Sequence, residues 1–291
     1  METLFIVNPV SGIRKNIMRL TELIESKYKA AGRTHQIQYT RYAGQATKLA
    51  KEAVRAGTEL IVAVGGDGTM NEVARGVVHS GSALGLIPGG SGNGFARSLG
   101  IPLKHKDALD VLLAGNYKCI DAGKINGHYF FGVCGLGFDA EIGASFQSFG
   151  VRGPLPYFYI GVKEYFKYHP ENVRLVSADK EWQTDIFLIT VANTQQYGNG
   201  AYIAPQANVQ DGLLDACIIS PFTLPQILGN LHRLFNKTVD RFAAYSSFRC
   251  KELTIIRQRE DGWFHIDGEP RKGVKELKIK VVPECLNVCI P

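Results

Sequence analysis

Three glycine-bearing segments hold most of the chemistry that can be read from this 291-residue chain. The first is Val64-Gly65-Gly66-Asp67-Gly68-Thr69-Met70-Asn71-Glu72. It follows the apolar run Leu60–Val64 and opens a predicted helix. Glycine lets backbone approach a ligand closely, and a helix N-terminus offers N–H groups to an anion. Asp67 would repel a phosphate there unless a cation such as Mg2+ lay between them. A tight βα turn, with Asp67 or Thr69 as helix N-cap, accounts for the same residues. The second segment is Pro88-Gly89-Gly90-Ser91-Gly92-Asn93-Gly94-Phe95-Ala96-Arg97, after the next apolar run, Leu84–Ile87. Neighbouring parallel strands set their C-terminal loops side by side, where ligands bind. Neither loop has Walker A or GxGxxG spacing, so the pair predicts a nucleotide site of another kind. The third is Asn8-Pro9-Val10-Ser11-Gly12-Ile13-Arg14-Lys15. Cations at a helix start oppose its dipole and are better placed facing an anion. For Arg14 alone, a solvated basic face is the simpler reading.

The carboxylates outside these loops are more ambiguous. Asp267 stands between Phe264-His265-Ile266 and Gly268-Glu269-Pro270, at a strand end. Taken alone, an Asp-Gly hairpin turn explains it best. Asp211-Gly212 reads equally well as a hairpin loop. Asp139 is either a helix N-cap or a group that holds a substrate amine or hydroxyl. His265, beside aromatic and apolar neighbours, is most simply a packed residue.

These groups need a scaffold. Apolar runs at 4–7, 35–40, 60–64 and 83–87 alternate with helical spacing over 13–31, 45–56, 71–79 and 106–114. That order predicts an open, doubly wound α/β sheet with right-handed crossovers. Beyond Cys119 the chain is mostly strand-like, over 129–133, 172–178, 184–193, 213–219, 252–257, 263–266 and 277–282. Helical inserts are expected at 156–168 and 224–235. This predicts a mainly antiparallel β-sandwich. The polar stretch 118–128 marks the boundary, giving domains 1–122 and 123–291.

Composition narrows the classes. The chain has 33 Lys and Arg against 27 Asp and Glu, a net charge of +6. That is too mild for a polybasic nucleic-acid arm, and no nucleic-acid partner is expected. No apolar run reaches the roughly 18 residues of a membrane span. With no secretory leader pattern, a cytoplasmic protein with free thiols is expected.

The loops, taken with later segments, resemble the diacylglycerol kinase catalytic-domain family, which includes bacterial lipid kinases, sphingosine kinases and ceramide kinases. The matching residues are Asn8-Pro9 with Ser11-Gly12, Gly65 to Thr69 with Asn71-Glu72, and Gly90 to Asn93 with Phe95-Ala96. Gly135 to Ala140, Asp211 to Asp215 and Asp267 to Pro270 follow in the family's order. The Gly-Gly-Asp-Gly element alone is shared with NAD kinases and 6-phosphofructokinases; the ordered set is specific. The resemblance implies an ATP and Mg2+ site on an N-terminal NAD kinase-like domain, an acceptor-lipid pocket in the C-terminal sandwich, and chemistry in a cleft between them. It implies nucleotide contacts from Asn8, Lys15, Thr40, Gly65, Gly66, Asp67, Gly68, Thr69, Glu72, Gly90, Ser91, Gly92 and Asn93. Asp67 would also meet Mg2+. Asp267 would be the general base, with Glu269 beside it, and Asp121 an interdomain network acid. Asp211 and the Leu213 carbonyl resemble a structural metal site, and Asp139 is placed at the substrate.

The expected activity is therefore transfer of the ATP γ-phosphoryl group to a primary hydroxyl of a membrane lipid. Many diacylglycerol kinases carry Asp where this chain has Gly94, which keeps a sphingoid long-chain base open beside diacylglycerol. An NAD kinase-like enzyme with a soluble substrate and a non-catalytic lipid- or nucleotide-binding module are the alternatives. A lipid acceptor requires peripheral contact with a bilayer. The aromatic stretch Phe146 to Tyr159 and the cluster Arg271, Lys272, Lys275, Lys278 and Lys280 are candidates for it; core packing and the solvent face of a strand are the plainer readings. Homodimer formation is left open.

Overall fold

A computed structural model of the chain describes residues 2–13, 16–149, 161, 163–178 and 180–291, without the side chains of 146–149 and 228. It divides into two compact units, 1–121 with 283–291, and 122–282.

The first unit runs β1 (Thr3–Val7), α1 (Ile17–Ala30), β2 (His35–Tyr39), α2 (Gln45–Arg55), β3 (Leu60–Gly65), α3 (Asp67–Val77), β4 (Ala83–Pro88), α4 (Gly94–Ser98) and α5 (His105–Ala114). Its strands lie parallel in the order β2-β1-β3-β4. β1, β3 and β4 are buried along their whole length and mostly apolar, as in a sheet covered on both faces. Phe5, Val62 and Ile87 pack with Leu20, Ile24, Leu109 and Leu112 from α1 and α5. α2 turns an alanine face toward α3, and a Cβ on Gly76 would lie 2.5 Å from that of Ala50. Small residues there let the two helices approach closely.

Two elements differ from expectation within the glycine loops. α3 begins at Asp67, four residues before the expected start, with extended Gly66 as its N-cap. A first-turn carboxylate complements the helix dipole, so residues that read as loop are favourable at a helix start. α4 lies inside the second loop and follows Asn93, whose φ of +48° is left-handed. The expected polar boundary is itself a strand, β5 (Asn116–Ile125), because Ile120, Ala122 and Ile125 are buried among polar neighbours.

The second unit continues with β6 (His128–Phe130), β7 (Val133–Gly137), α6 (Phe138–Phe149), β8 (Glu171–Val176), β9 (Glu181–Ile186), β10 (Leu188–Ala192), β11 (Gln196–Gly198), β12 (Ala201–Tyr202) and β13 (Leu214–Ile219). After these come α7 (Leu224–Asn230), β14 (Tyr245–Cys250), β15 (Glu252–Arg257), β16 (Trp263–Ile266), β17 (Glu269–Lys272) and β18 (Glu276–Ile290). One antiparallel layer has the order β14-β13-β10-β7-β16-β17; the other joins β18, β15, β8 and β9. Leu136, Ile189, Val191 and Ile266 of the first layer pack with Val173, Leu175, Ile255 and Ile279 of the second. The expected strand 184–193 is two strands, because the chain passes between layers at Phe187.

The C-terminal boundary also differs. In β18, Asn287 and Val288 pair in parallel with Ala83 and Leu84 of β4, and Leu286, Val288 and Cys289 are buried. Residues 283–291 therefore join the first unit. Along β18, Lys278 and Lys280 are exposed while Leu277 and Ile279 are buried, the alternation of a strand with one solvent face. Among the described residues no helix is long and apolar enough to cross a membrane. The stretch from Val151 to Tyr159, and residues 156–160 and 162 of the helix expected at 156–168, lie outside the described residues, as do the side chains of Phe146 and Phe149; residues 161 and 163–165 are helical.

Candidate active site

Three loops meet at the C-terminal edge of the parallel sheet. β3 and β4 are in register from Leu60↔Ala83 to Gly65↔Pro88, which sets their following turns side by side. The Gly89 N–H donates to the Gly65 carbonyl at 2.6 Å. The glycines are steric requirements here. A Cβ on Gly90 would lie 2.7 Å from the Gly66 Cα, and one on Gly12 would lie 2.5 Å from the Gly89 oxygen. Since the Gly66 contact is backbone, Gly90→Ala should open the loop pair. We expect weaker binding of the nucleotide that the resemblance implies, read by calorimetry.

Side chains fasten this arrangement. Asn93 accepts from the Gly90 N–H at 2.9 Å and donates to the Gly90 carbonyl at 2.8 Å. The Asn8 amide donates to Thr69 Oγ1 at 3.0 Å, tying the Asn8–Gly12 loop to α3. The Thr40 N–H donates to the Val7 carbonyl at 2.9 Å, and Ser91 is exposed on the second loop. Gly68 is exposed in the first turn of α3. Lys15 and Arg14 lie outside the described residues.

Asp67 stitches two loops together. Its Oδ1 accepts from the Phe95 N–H at 3.3 Å, at the start of α4. Burial raises its pKa above the ordinary carboxylate value, while N–H donors at Phe95, Gly94 and Asn93 oppose the rise. The ionised form is thus penalised by folding, so wild-type stability is fullest below the unfolded pKa, about 3.9, and falls as pH rises through the raised folded value. Asp67→Asn removes that titration. The stability of Asp67→Asn relative to wild type should rise with pH in that window. Urea unfolding at stepped pH measures it, and a flat difference would contradict the burial argument.

Glu72 is the expected nucleotide residue that points elsewhere. Its Oε2 accepts from the Ala46 N–H at 3.1 Å, near the start of α2. Five helical positions separate it from Asp67, so it projects from a different face of α3, whereas i+3 and i+4 neighbours share a face.

In the second unit, Asp267 and Gly268 form the two-residue link between β16 and β17, with φ of +50° and +79°. Positive φ at both positions is the signature of a type I′ hairpin. The simple turn reading is therefore correct for the backbone. The side chain does more. The Phe131 N–H donates to Oδ2 at 3.0 Å, and the Gly132 and Val133 N–H groups donate to Oδ1 at 2.8 and 3.0 Å. Three amides compensate the carboxylate and fix its position. Glu269 pairs with Ile266 across the same turn and is half-buried.

Asp139 lies in the first turn of α6, with its side chain 10% exposed. Its Oδ1 accepts from its following N–H, at Ala140, at 2.8 Å. Its Oδ2 is 3.1 Å from Thr190 Oγ1, 3.0 Å from Tyr197 Oη and 3.1 Å from His265 Nε2. Thr190, Tyr197 and His265 were not expected from the sequence as partners of Asp139. Only the Gly135-Leu136-Gly137-Phe138-Asp139 spacing hinted at an organised site.

Asp211 forms an Asx turn, its Oδ1 accepting from the Leu213 N–H at 3.1 Å. Arg249 faces it at 4.0 Å and faces Asp215 at 3.8 Å. Burial raises the Asp215 pKa, Arg249 lowers it and Asp211 raises it. Among the described residues no group of three or more His, Cys, Asp or Glu is arranged to hold a metal ion. The cation that these two acids face is a guanidinium. Asp121 is buried in the first unit and accepts from the Glu284 N–H at 2.8 Å.

Comparison with known proteins agrees with this architecture. Residues 2–125 match the Diacylglycerol kinase catalytic domain, and residues 132–290 match the YegS C-terminal NAD kinase beta sandwich-like domain. A Pseudomonas aeruginosa protein named "Probable lipid kinase YegS-like" is 32% identical over 269 residues, covering 90% of this chain and 87% of its own. The Bacillus subtilis protein named diacylglycerol kinase is 34% identical over 228 residues, 77% of this chain and 75% of its own. A crystal structure of a diacylglycerol kinase from Bacillus anthracis superposes with a TM-score of 0.77 at 20% identity, covering 100% of this chain and 97% of that one, a likeness of fold. With both halves matched and the glycine loops in place, the chain belongs to the diacylglycerol kinase family of bacterial lipid kinases, with a YegS-type C-terminal sandwich.

Proposed function

We propose that the protein transfers the γ-phosphoryl group of ATP to a primary hydroxyl of a membrane lipid, with diacylglycerol as first candidate and a sphingoid base as second. The observation that carries the phosphotransfer reading is the contact of the Gly66 and Gly90 turns, with Asp67 bridging to the amides of α4. Such loops can bring backbone N–H groups close to phosphates. The lipid class rests on the relatives' names over most of the chain. The ranking rests on Asp139. Three protein donors surround its Oδ2, which leaves this carboxylate poorly suited to a sphingoid ammonium.

Phosphoryl transfer needs positioning and charge compensation more than covalent chemistry from the protein. When bound, Mg2+ would supply charge neutralisation for the phosphoryl group being transferred. Mg2+ commonly takes one or two protein carboxylates and completes its shell with phosphates and water. Asp67, a single carboxylate among glycine turns, fits that donor set. Asn8, Thr69 and Asn93 hold the loops, and the loop amides would bind the phosphates. Asp267, pinned by three amides, would orient the acceptor hydroxyl and accept its proton. Glu269 would stand beside it. The lipid substrate requires a peripheral encounter with a bilayer.

The test is incubation with γ-labelled ATP and Mg2+ alongside detergent micelles of diacylglycerol, sphinganine or ceramide, and with NAD as a soluble acceptor. Label in diacylglycerol is the expected result. Label in NAD alone, or in no acceptor, would overturn the lipid kinase reading; label in sphinganine alone would reverse the ranking.

A further inference from the structure

Thr190, Gly135 and His265 form one row across three strands. Thr190 of β10 pairs with Gly135 of β7, and Gly135 pairs with His265 of β16. Thr190 is fully buried and His265 is 4% exposed. The middle member has no side chain, and a Cβ there would lie 2.5 Å from the Ile189 oxygen and 3.2 Å from His265 Nε2. The gap lets a threonine and a histidine two strands apart converge on one carboxylate, Asp139 Oδ2.

Three side chains converge on the Asp139 carboxylate. Thr190 and Tyr197 bring one hydroxyl hydrogen each. They make three close contacts, two with Asp139 and one with each other at 2.5 Å. Both hydroxyls donate to Asp139 Oδ2, and His265 Nε2 is the third group against that oxygen, at 3.1 Å. The other ring nitrogen, Nδ1, accepts from the Gly268 N–H at 3.4 Å. Those two bonds select one neutral tautomer, protonated at Nε2 and bare at Nδ1. Gly268 is the second residue of the turn that presents Asp267.

We propose that His265 is a positioning residue for the acceptor step: it latches the buried Asp139 carboxylate to the Asp267–Gly268 turn and so holds the Asp267 carboxylate in place. The proposal rests on the reading of Asp267 as the group that meets the acceptor hydroxyl. His265 touches neither substrate nor nucleotide in this scheme. Its loss lets the turn shift, and small misplacements of a reacting group lower rates by up to about 100-fold.

The experiment compares wild type with His265→Ala, His265→Gln, His265→Asn and Asp267→Asn. Asn carries an acceptor oxygen on a short arm, near the place of Nδ1. Gln carries a donor nearer the place of Nε2. We expect kcat to fall roughly 10- to 100-fold in His265→Ala and His265→Gln, with KM for ATP unchanged, and partial recovery in His265→Asn. Nitrogen-15 NMR of histidine-labelled wild type should show a bare Nδ1 and a protonated Nε2. A folded His265→Ala with wild-type kcat beside an inactive Asp267→Asn sinks the latch alone. Wild-type rates in Asp267→Asn sink the reading beneath it. Should the His265 variants fail to fold, the tautomer decides: a protonated Nδ1 in the wild type overturns the proposal.

Discussion

Asp267→Asn should lower kcat by about 10²- to 10⁴-fold, the range for loss of a positioned proton acceptor. Nucleotide affinity should survive, because the glycine loops belong to the other compact unit. The substitution keeps the shape and removes the charge. It also sets an NH2 group among amide donors from Phe131, Gly132 and Val133, so a stability loss of about 1–3 kcal/mol is expected beside the catalytic one. Kinetics at saturating ATP and acceptor, with ATP binding by calorimetry and a parallel unfolding curve, separate the effects. If the folded variant stays within roughly threefold of the wild-type kcat, Asp267 does not take the proton.

The largest expected stability effect lies in the sandwich. Arg257 grips Glu171 with two bonds, Nε to Oε1 at 2.9 Å and Nη2 to Oε2 at 2.7 Å, with the side chains only 1% and 6% exposed. Arg257 Nη1 also donates to the Trp263 carbonyl at 3.1 Å. A Cβ on Gly262 would lie 1.8 Å from Nη2, so glycine makes room for the guanidinium. Glu171→Ala leaves that buried cation without its carboxylate, which should cost about 3–5 kcal/mol in urea unfolding. The double variant Glu171→Leu, Arg257→Met should recover most of the loss, since it buries no charge. A single-variant loss below about 1 kcal/mol would mean that water reaches the site on unfolding the nearby strands, and the buried-pair account would fail.

The pair also shows where sequence reading stops. Glu171 and Arg257 are 86 residues apart, and neither has a neighbour that marks it as buried. The same holds for the Asp139, Thr190, Tyr197 and His265 network: its members are drawn from across residues 139–265, and no local pattern joins them. Glu72 shows the same gap from the other side. It sits in a signature segment, yet its carboxylate serves the start of α2. Position within a motif does not state which way a helical side chain points. The polar stretch at β5 misled for a related reason: composition averages over residues, while a strand buries some and exposes others.

Some properties are local, and the chain alone determined them. Apolar runs alternating with helical periods dictated a parallel α/β unit, since each run is long enough for one strand and too apolar to face water. Glycines at 66 and 90 allowed two turns to touch, because a Cβ on Gly90 would lie 2.7 Å from the Gly66 Cα and one on Gly66 3.1 Å from the Gly90 Cα. Asp-Gly at 267–268 dictated a two-residue turn through its positive φ angles. Tertiary structure decided what those local choices achieve. Strand pairing placed Gly135 between Thr190 and His265, layer crossing at Phe187 split one expected strand in two, and residues 283–291 left the sandwich to pair with β4. Each depends on register between segments far apart in the chain. Register is set by the summed burial of whole strands, a quantity that no short stretch of residues contains.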